Sequence, residues 1–329
     1  MPRIVRFHRF GGPEELGIDD IPVRDPGPGE VQIRVKALGL NRAEALMRAG
    51  AYIETPPLPA RLGLEAAGLV AALGAGVTGF ALGDAVSVIP PVSMIRHPTH
   101  GEIANLPAAH VVKHPPALGF TEAAALWMPF LTAYGALIDL AKLRADDTVA
   151  ITAASSSVGL AAIQIARSVG ARTVAITRTP EKEAALRAFG ADDVVVTAHD
   201  DVEASLKTIA PDGIRIVLDA VSGALVTPLT SAMARGGILI AYGGLAPEPT
   251  PFPLFTALGK CLTLRGYLVH EIVEDAVKLA AAKRYILDGV AAGTFTPVIA
   301  RTFAFDDIVA SYRFLESSAQ FGKVVVTLQ

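Results

Sequence analysis

Thr148-Val149-Ala150-Ile151-Thr152-Ala153-Ala154-Ser155-Ser156-Ser157-Val158-Gly159-Leu160-Ala161-Ala162-Ile163-Gln164-Ile165-Ala166 changes character twice. An apolar run gives way to a string of small residues, and that string to an apolar pattern of helical period. The reading is strand, tight turn, helix, with a second strand from Arg172 to Thr177. Such a turn gathers backbone N–H donors at a helix N-terminus, where the helix dipole also favours negative charge. It is a seat for phosphate, and the rest of the chain is expected to build the other wall of a cofactor cleft.

Downstream the alternation continues. Strands are expected at Thr173 to Thr177, Asp193 to Val196, Ile214 to Leu218, Gly237 to Ala241 and Leu262 to Arg265. Helices fall between them at Pro180 to Phe189, Val202 to Ile209 and Val226 to Met233. A βαβα order of this kind implies a parallel sheet covered on both faces. Upstream, Leu131 to Leu143 and the short Thr121 to Leu126 read as helices. Residues 1–125 read as β structure punctuated by Gly11-Gly12-Pro13 and Pro26-Gly27-Pro28-Gly29. Within them Val31 to Ala37 alternates apolar and polar residues, and Asn41 stands where it can cap a short helix from Arg42 to Ala49. The tail holds a helix from Ile272 to Asp288, a strand at Val298 to Phe303, a helix from Asp306 to Ser317 and a last strand from Lys323. It is expected to return to the first lobe and complete its sheet. The division expected is 1–125 with 268–329 as one domain and 126–267 as the other.

Composition narrows the function classes. A chain of 329 residues is too long for one ordinary core. A net charge of -3 and a pI near 6.2, without any basic cluster, give no electrostatic reason to expect nucleic acid. The single cysteine, Cys261, excludes an internal disulfide and a multi-thiolate metal site and fits a reducing compartment. The region Leu64 to Val77, the richest apolar stretch in this reading, contains Glu65 and several glycines and does not suit a membrane span. A cytoplasmic protein without a membrane partner is expected.

The turn itself is a modified dinucleotide fingerprint. Its three glycine positions are read as Ala154, Ser156 and Gly159. Ser155, Ser156 and Ser157 replace lost backbone room with hydroxyls able to donate to phosphate oxygens, and Val158 and Gly159 open the helix. An NAD site places a carboxylate about 20 residues further on, to accept from the ribose 2′-hydroxyl. Here that position reaches Thr177 and Arg178, with Lys182 following. Cations without a carboxylate suit a 2′-phosphate, so NADPH is the expected cofactor.

Taken in order, a set of segments spanning nearly the whole chain resembles the medium-chain dehydrogenase/reductase superfamily, in its zinc-independent quinone oxidoreductase and enone reductase branch. They are Pro28 to Val31, Asn41 with Gly50-Ala51-Tyr52, Leu62 to Gly68, Gly83 to Val86, Leu131 to Tyr134, Ala153 to Gly159, Gly236-Gly237 with Gly243, and Gly322 to Val325. The resemblance implies a mostly-β GroES-like catalytic domain and a Rossmann domain. It implies a homodimer joined through the last Rossmann strand, at Leu262, Thr263 and Leu264. It extends the cofactor contacts to Thr132, Val221, Tyr242 and Gly243. Zinc-dependent members hold their catalytic metal with Cys, His and Cys, and the corresponding positions here are Asn41, Leu64 and Met128, which do not make a zinc ligand set. No metal is therefore expected. Without a Lewis acid, acceptors that spread charge over an enolate or hydroquinone are favoured over simple ketones. Tyr52 matches a tyrosine that assists proton delivery in enoyl-thioester reductases, and Asn41 matches an asparagine lining the nicotinamide pocket of quinone reductases.

Rival readings start from other residues. His97, His100 and Glu102 have a spacing that suits a metal, though in a Pro-containing loop. Ser155 to Gly159 partly mimics the nucleophile elbow of a hydrolase, with Ser157 as nucleophile and Asp219 and His270 as partners. A third reading keeps the cofactor and drops turnover, leaving an NADPH-binding regulatory protein. The acceptor is the open question: a quinone, an α,β-unsaturated carbonyl or an enoyl thioester.

Overall fold

The computed structural model describes residues 1–329, which divide into two compact units: Met1–Met128 with Thr296–Gln329, and Pro129–Phe295.

The second unit is built on the parallel sheet. Its strands lie in the order Asp193–Val196, Arg172–Thr177, Thr148–Ile151, Ile214–Asp219, Met233–Ala241 and Thr263–Gly266, every neighbouring pair parallel. The first three elements run leftward from Thr148–Ile151 and the last three rightward, which is the doubly wound Rossmann order. The order reverses between Thr148–Ile151 and Ile214–Asp219, so the crevice for a ligand lies at the carboxyl ends of those two strands. Buried Val174, Ile176, Val195, Val217 and Leu239 pack with Leu206 and Leu229 from the covering helices.

In the first unit, Glu30–Gly39 is the central strand, antiparallel to Glu65–Leu73, to Ile103–Pro107 and to Lys323–Thr327. The tail does return: Ile299–Ala304 pairs in parallel with Lys323–Thr327, and the two extend the sheet of the N-terminal region. Its core gathers Val31, Ile33, Val35, Leu62, Met94, Tyr312 and Val326. The apolar face of the Val31 to Ala37 alternation lies inward, as its period of two requires.

The boundaries differ from the expected ones. The first unit ends at Met128 rather than 125, and it resumes at Thr296 rather than 268. Residues 268–295 stay with the Rossmann unit because the helix Ala276–Ala291 packs there: Tyr285 stacks against Tyr134 at 5.1 Å, and Lys278 pairs with Asp139 at 2.8 Å. The expected single helix from Ile272 is two, His270–Val273 and Ala276–Ala291, because Asp275 caps a fresh start through the amides of Val277 and Lys278. The helix expected from Leu131 begins at Trp127 and widens to a π-helical turn over Gly135–Leu140. The cause sits beside it: the Tyr267 hydroxyl occupies the space a side chain on Gly135 would fill and donates to the Leu131 carbonyl at 3.4 Å. Phe120–Leu140, not Leu64 to Val77, is the stretch long and apolar enough to cross a membrane by length and composition, and 72% of its window is buried inside the fold.

Candidate functional site

Two groups of polar residues stand out, one in each unit. In the Rossmann unit the turn after Thr148–Ile151 is tight enough to put Ala153 at φ +46, a left-handed conformation that costs a residue with a side chain. Ser156 caps the helix Ser157–Val169, its hydroxyl accepting from the Gly159 amide at 3.1 Å. A Cβ on Gly159 would lie 2.5 Å from the Ala154 carbonyl oxygen, so this position needs glycine for the helix to meet the strand exit. Ser157 and Val158 form the first turn.

The neighbouring strand delivers the cations. Thr177 ends Arg172–Thr177 and is buried, and Arg178 follows it, exposed. The Lys182 ammonium reaches back and donates to the Ser155 hydroxyl at 3.0 Å. Burial, and then Arg178, lower the Lys182 pKa from its ordinary value, and the carboxylate of Glu181 offsets them only in part. Of the two cations expected near a 2′-phosphate, Lys182 reaches the turn through Ser155 while staying close enough to Arg178 for that charge to act on it.

At the switch point lies a device missed in the sequence. Asp219 is fully buried, and its Oδ1 accepts from the Thr152 hydroxyl at 2.7 Å, from the Val221 amide at 2.9 Å and from the Ser222 amide at 3.1 Å. The Thr152 hydroxyl in turn accepts from the Ala220 amide at 2.8 Å. These bonds tie the two strand ends together across the crevice and leave the Asp219 carboxylate committed to structure. Tyr242 gives its amide to the Asp219 carbonyl, and the Gly243 carbonyl accepts from the Ser222 hydroxyl at 2.9 Å, so Val221, Tyr242 and Gly243 are drawn to this place. The Tyr242 hydroxyl is buried near Ser156 and lacks a partner of normal hydrogen-bond geometry; burial drives its pKa upward. A buried donor left open beside the helix N-terminus fits a phosphate-bearing ligand. Thr132 is buried in the helix Trp127–Tyr134.

In the first unit, Asn41, Leu64 and Met128 do converge, on two buried carboxylates. Glu44 accepts from the Asn41 amide at 2.8 Å, from the Leu64 amide at 2.9 Å and from the Tyr312 hydroxyl at 2.7 Å. Glu65 accepts from the Met128 amide at 2.7 Å and is paired with the Lys323 ammonium, which also donates to Asn41 Oδ1 at 2.6 Å. The Asn41 side-chain amide donates to the Gly39 carbonyl at 3.1 Å and to Glu44 at 3.2 Å. Both ends of that side chain are therefore occupied by the protein. Burial alone would raise the Glu44 pKa, but nearby His100, the Asn41 amide and the Tyr312 hydroxyl outweigh it and hold the carboxyl low. At Glu65 burial wins over Lys323 and the pKa is raised. No three His, Cys, Asp or Glu side chains are placed to share a metal ion. His100 binds Tyr312 at 3.0 Å and Glu102 pairs with Arg3 at 2.8 Å, so two of the three residues His97, His100 and Glu102 are engaged elsewhere in the fold. Gly63, at φ +117, makes room for His100 and Thr99.

Tyr52 is half-buried and packs on the core of this unit. Burial first, then the carboxylates of Glu54 and Glu44, push its phenol up to about 12. It stays protonated at every physiological pH, as a proton donor must.

Comparison with known proteins places this architecture. Residues 27–116 match the alcohol dehydrogenase GroES-like domain, and residues 157–282 match the zinc-binding dehydrogenase family. The quinone oxidoreductase of Lama guanicoe is 31% identical over 99% of this chain and 98% of its own length. The synaptic vesicle membrane protein VAT-1 homolog of Rattus norvegicus is 35% identical over 71% of this chain, but the match spans only 57% of that protein. Among solved structures, Escherichia coli quinone oxidoreductase complexed with NADPH superposes with a TM-score of 0.92 at 27% identity, covering 99% of this chain and 100% of that one. A structure described as an NAD-dependent alcohol dehydrogenase gives a TM-score of 0.89 at 32% identity, covering 99% and 100%. The fold is that of a two-unit oxidoreductase with a GroES-like and a Rossmann part. The chain belongs to the medium-chain dehydrogenase/reductase superfamily, in its quinone oxidoreductase branch.

Proposed function

We propose that this protein is an NADPH-dependent reductase that uses no metal and whose acceptor is a quinone or the β-carbon of an activated alkene. The observation that carries the reading is the cationic corner at the nucleotide turn, with Lys182 on Ser155, Arg178 at the strand end and no carboxylate where an NAD site needs one. When bound, NADPH supplies a hydride. Ser155, Ser156, Ser157, Val158, Gly159 and Tyr242 hold its pyrophosphate, Thr177 and Arg178 its ribose phosphate, and Thr132, Val221 and Gly243 complete the seat. Tyr52 or water gives the proton to the oxygen that gains charge. Asn41 acts by fixing the start of its helix, since Lys323, Glu44 and Gly39 occupy its side chain.

The metal-free part rests on donor chemistry: an amide committed to internal bonds, a leucine and a methionine stand where zinc ligands would. We propose a homodimer as well, because Thr263–Gly266 is an edge strand of its sheet and the helix before it exposes Phe255 at 85% and Leu258 at 64%. The cytoplasm is the proposed compartment, in keeping with one exposed free thiol, Cys261.

The test is oxidation of NADPH and of NADH against benzoquinone, a 2-alkenal, a cyclic enone and an enoyl thioester, with and without a chelator. Turnover of a quinone or enone with NADPH, untouched by chelation, is expected. Loss of activity on chelation, or a preference for NADH, overturns the reading. Preference for the thioester moves the protein to the enoyl reductases, and tight NADPH binding without turnover of any acceptor makes it a binding protein.

A further inference from the structure

The chain between Ile89 and His100 forms neither helix nor strand, and it carries no sequence motif. Pro90, Pro91 and Pro98 deny it amide donors, so its shape depends on a few remaining bonds. Two of them converge on one side chain. The Ser93 hydroxyl donates to Glu54 Oε1 at 2.6 Å, and the Met94 amide donates to Glu54 Oε2 at 3.1 Å. Ser93 also organises the next turn of chain, its hydroxyl accepting from the Arg96 amide at 3.3 Å and its carbonyl from the His97 amide at 3.2 Å. Ser93 and Met94 are buried, and Met94 joins the core on which Tyr52 and Ile95 also pack.

Glu54 is two residues from Tyr52, in a segment that is itself without helix or strand. The residue between them, Ile53, points its side chain outward and is 64% exposed. Two irregular segments are therefore locked together by one carboxylate: the one carrying Tyr52 and the one centred on Ser93. A charged acceptor taking a hydroxyl and an amide at once is a strong link for an irregular segment. The same carboxylate contributes, after burial, to keeping the Tyr52 phenol protonated.

We propose that Glu54 is a positioning residue for the acceptor, holding the Ser93 to His97 turn in register with Tyr52. The proposal rests on the reductase reading above and deepens it, since it names the side chain that shapes the acceptor side. Nothing in it concerns the nucleotide, so cofactor binding is indifferent to Glu54.

The experiment compares wild type with Glu54→Ala and Glu54→Gln in steady-state reduction of benzoquinone and a cyclic enone, together with hydrogen exchange at the Met94 amide. Glu54→Ala is expected to raise the acceptor KM at least about fivefold, the order expected for the loss of one or two hydrogen bonds, while the NADPH KM stays within about twofold. Exchange at Met94 should quicken at least about tenfold in the same variant. Glu54→Gln keeps an oxygen that accepts from Ser93 or Met94, and should restore most of the acceptor KM. A purely structural role would move both KM values or neither. An unchanged acceptor KM, a parallel rise in both, or undisturbed protection at Met94 overturns the proposal and leaves the reductase reading standing. A wild-type protein that reduces no acceptor overturns the reductase reading, and this proposal falls with it.

Discussion

At the scale of the residue, chemistry is assigned by what each polar atom is left to do. Tyr52 has a phenol raised to about 12 by burial and by Glu54 and Glu44, and it lies in the same unit as the buried network of Asn41, Glu44, Glu65, Tyr312 and Lys323. Tyr52→Phe should therefore lower kcat at least about tenfold if the phenol donates the proton, and unchanged turnover would remove it from that role. The wild-type rate should show no tyrosine titration between pH 7 and 10. As the folded value lies above the unfolded one near 10, the stabilisation this phenol gives is whole below about pH 10 and fades toward 12. The cationic corner divides differently. Arg178→Ala should weaken NADPH at least about tenfold and NADH by less than about threefold, since one charged pair to the 2′-phosphate is lost. Lys182→Ala should weaken both, because its ammonium serves the turn through Ser155. Equal losses for the two nucleotides in Arg178→Ala, measured as dissociation constants, would argue against 2′-phosphate pairing. The residue types around this corner were readable in sequence, as were the three positions Asn41, Leu64 and Met128. What each did with its hydrogen bonds was not, since Glu65 and Lys323 are brought to Asn41 from separate strands, while Glu44 meets it as the third residue of the helix that Asn41 caps.

At the scale of the element, close contacts decide what can change. Gly159 sits where the helix meets the exit of Thr148–Ile151, with the Ala154 carbonyl 2.5 Å from any added Cβ. Gly159→Val should cost about 1–3 kcal/mol of stability and open the turn, read as a lower denaturation midpoint and weaker nucleotide binding. Lys323, at the start of the final strand, neutralises Glu65 inside the sheet. Removing one partner of a buried pair strands the other, so Lys323→Met should cost about 3–5 kcal/mol, and adding Glu65→Gln should recover part of it. An unaltered Tm in Lys323→Met would contradict the pairing. The elements that carry their own local signal, Asp193–Val196 and Val202–Ile209 among them, were legible in sequence to the residue. Leu16–Asp20 and Ile103–Pro107 were not, because their strand character comes from partners: Ile103–Pro107 pairs with Glu30–Gly39, far away in the chain, and carries Asn105 and Pro107 in its own sequence. The π-helical turn over Gly135–Leu140 was hidden for the same reason, its cause being Tyr267 from the distant end of the unit.

At the scale of the whole molecule, the main sheet of each unit is open, with an outer strand at either end. In the first, the tail extends the sheet, Lys323–Thr327 pairing with the central strand and Ile299–Ala304 with Lys323–Thr327. In the second, Thr263–Gly266 is one of the two outer strands of the sheet, and the preceding segment exposes Phe252, Leu254, Phe255 and Leu258 together. An open strand edge beside large apolar side chains invites association, and a monomer usually blunts such an edge with charge or proline. A second copy presenting the same edge would pair with it by two-fold symmetry, which closes the assembly at two chains. The protein should therefore run at twice the 34.2 kDa of one chain by light scattering, and Phe255→Asp with Leu258→Glu should bring it to the mass of one chain. Burying two carboxylates in an apolar interface is costly enough to exceed the few kcal/mol that separate dimer from monomer at micromolar concentration. The variant should keep its nucleotide affinity, because the turn at Ser155 and the bonds of Asp219 lie on other elements. A mass of one chain in the wild type, or two in the variant, would show that this edge is left open.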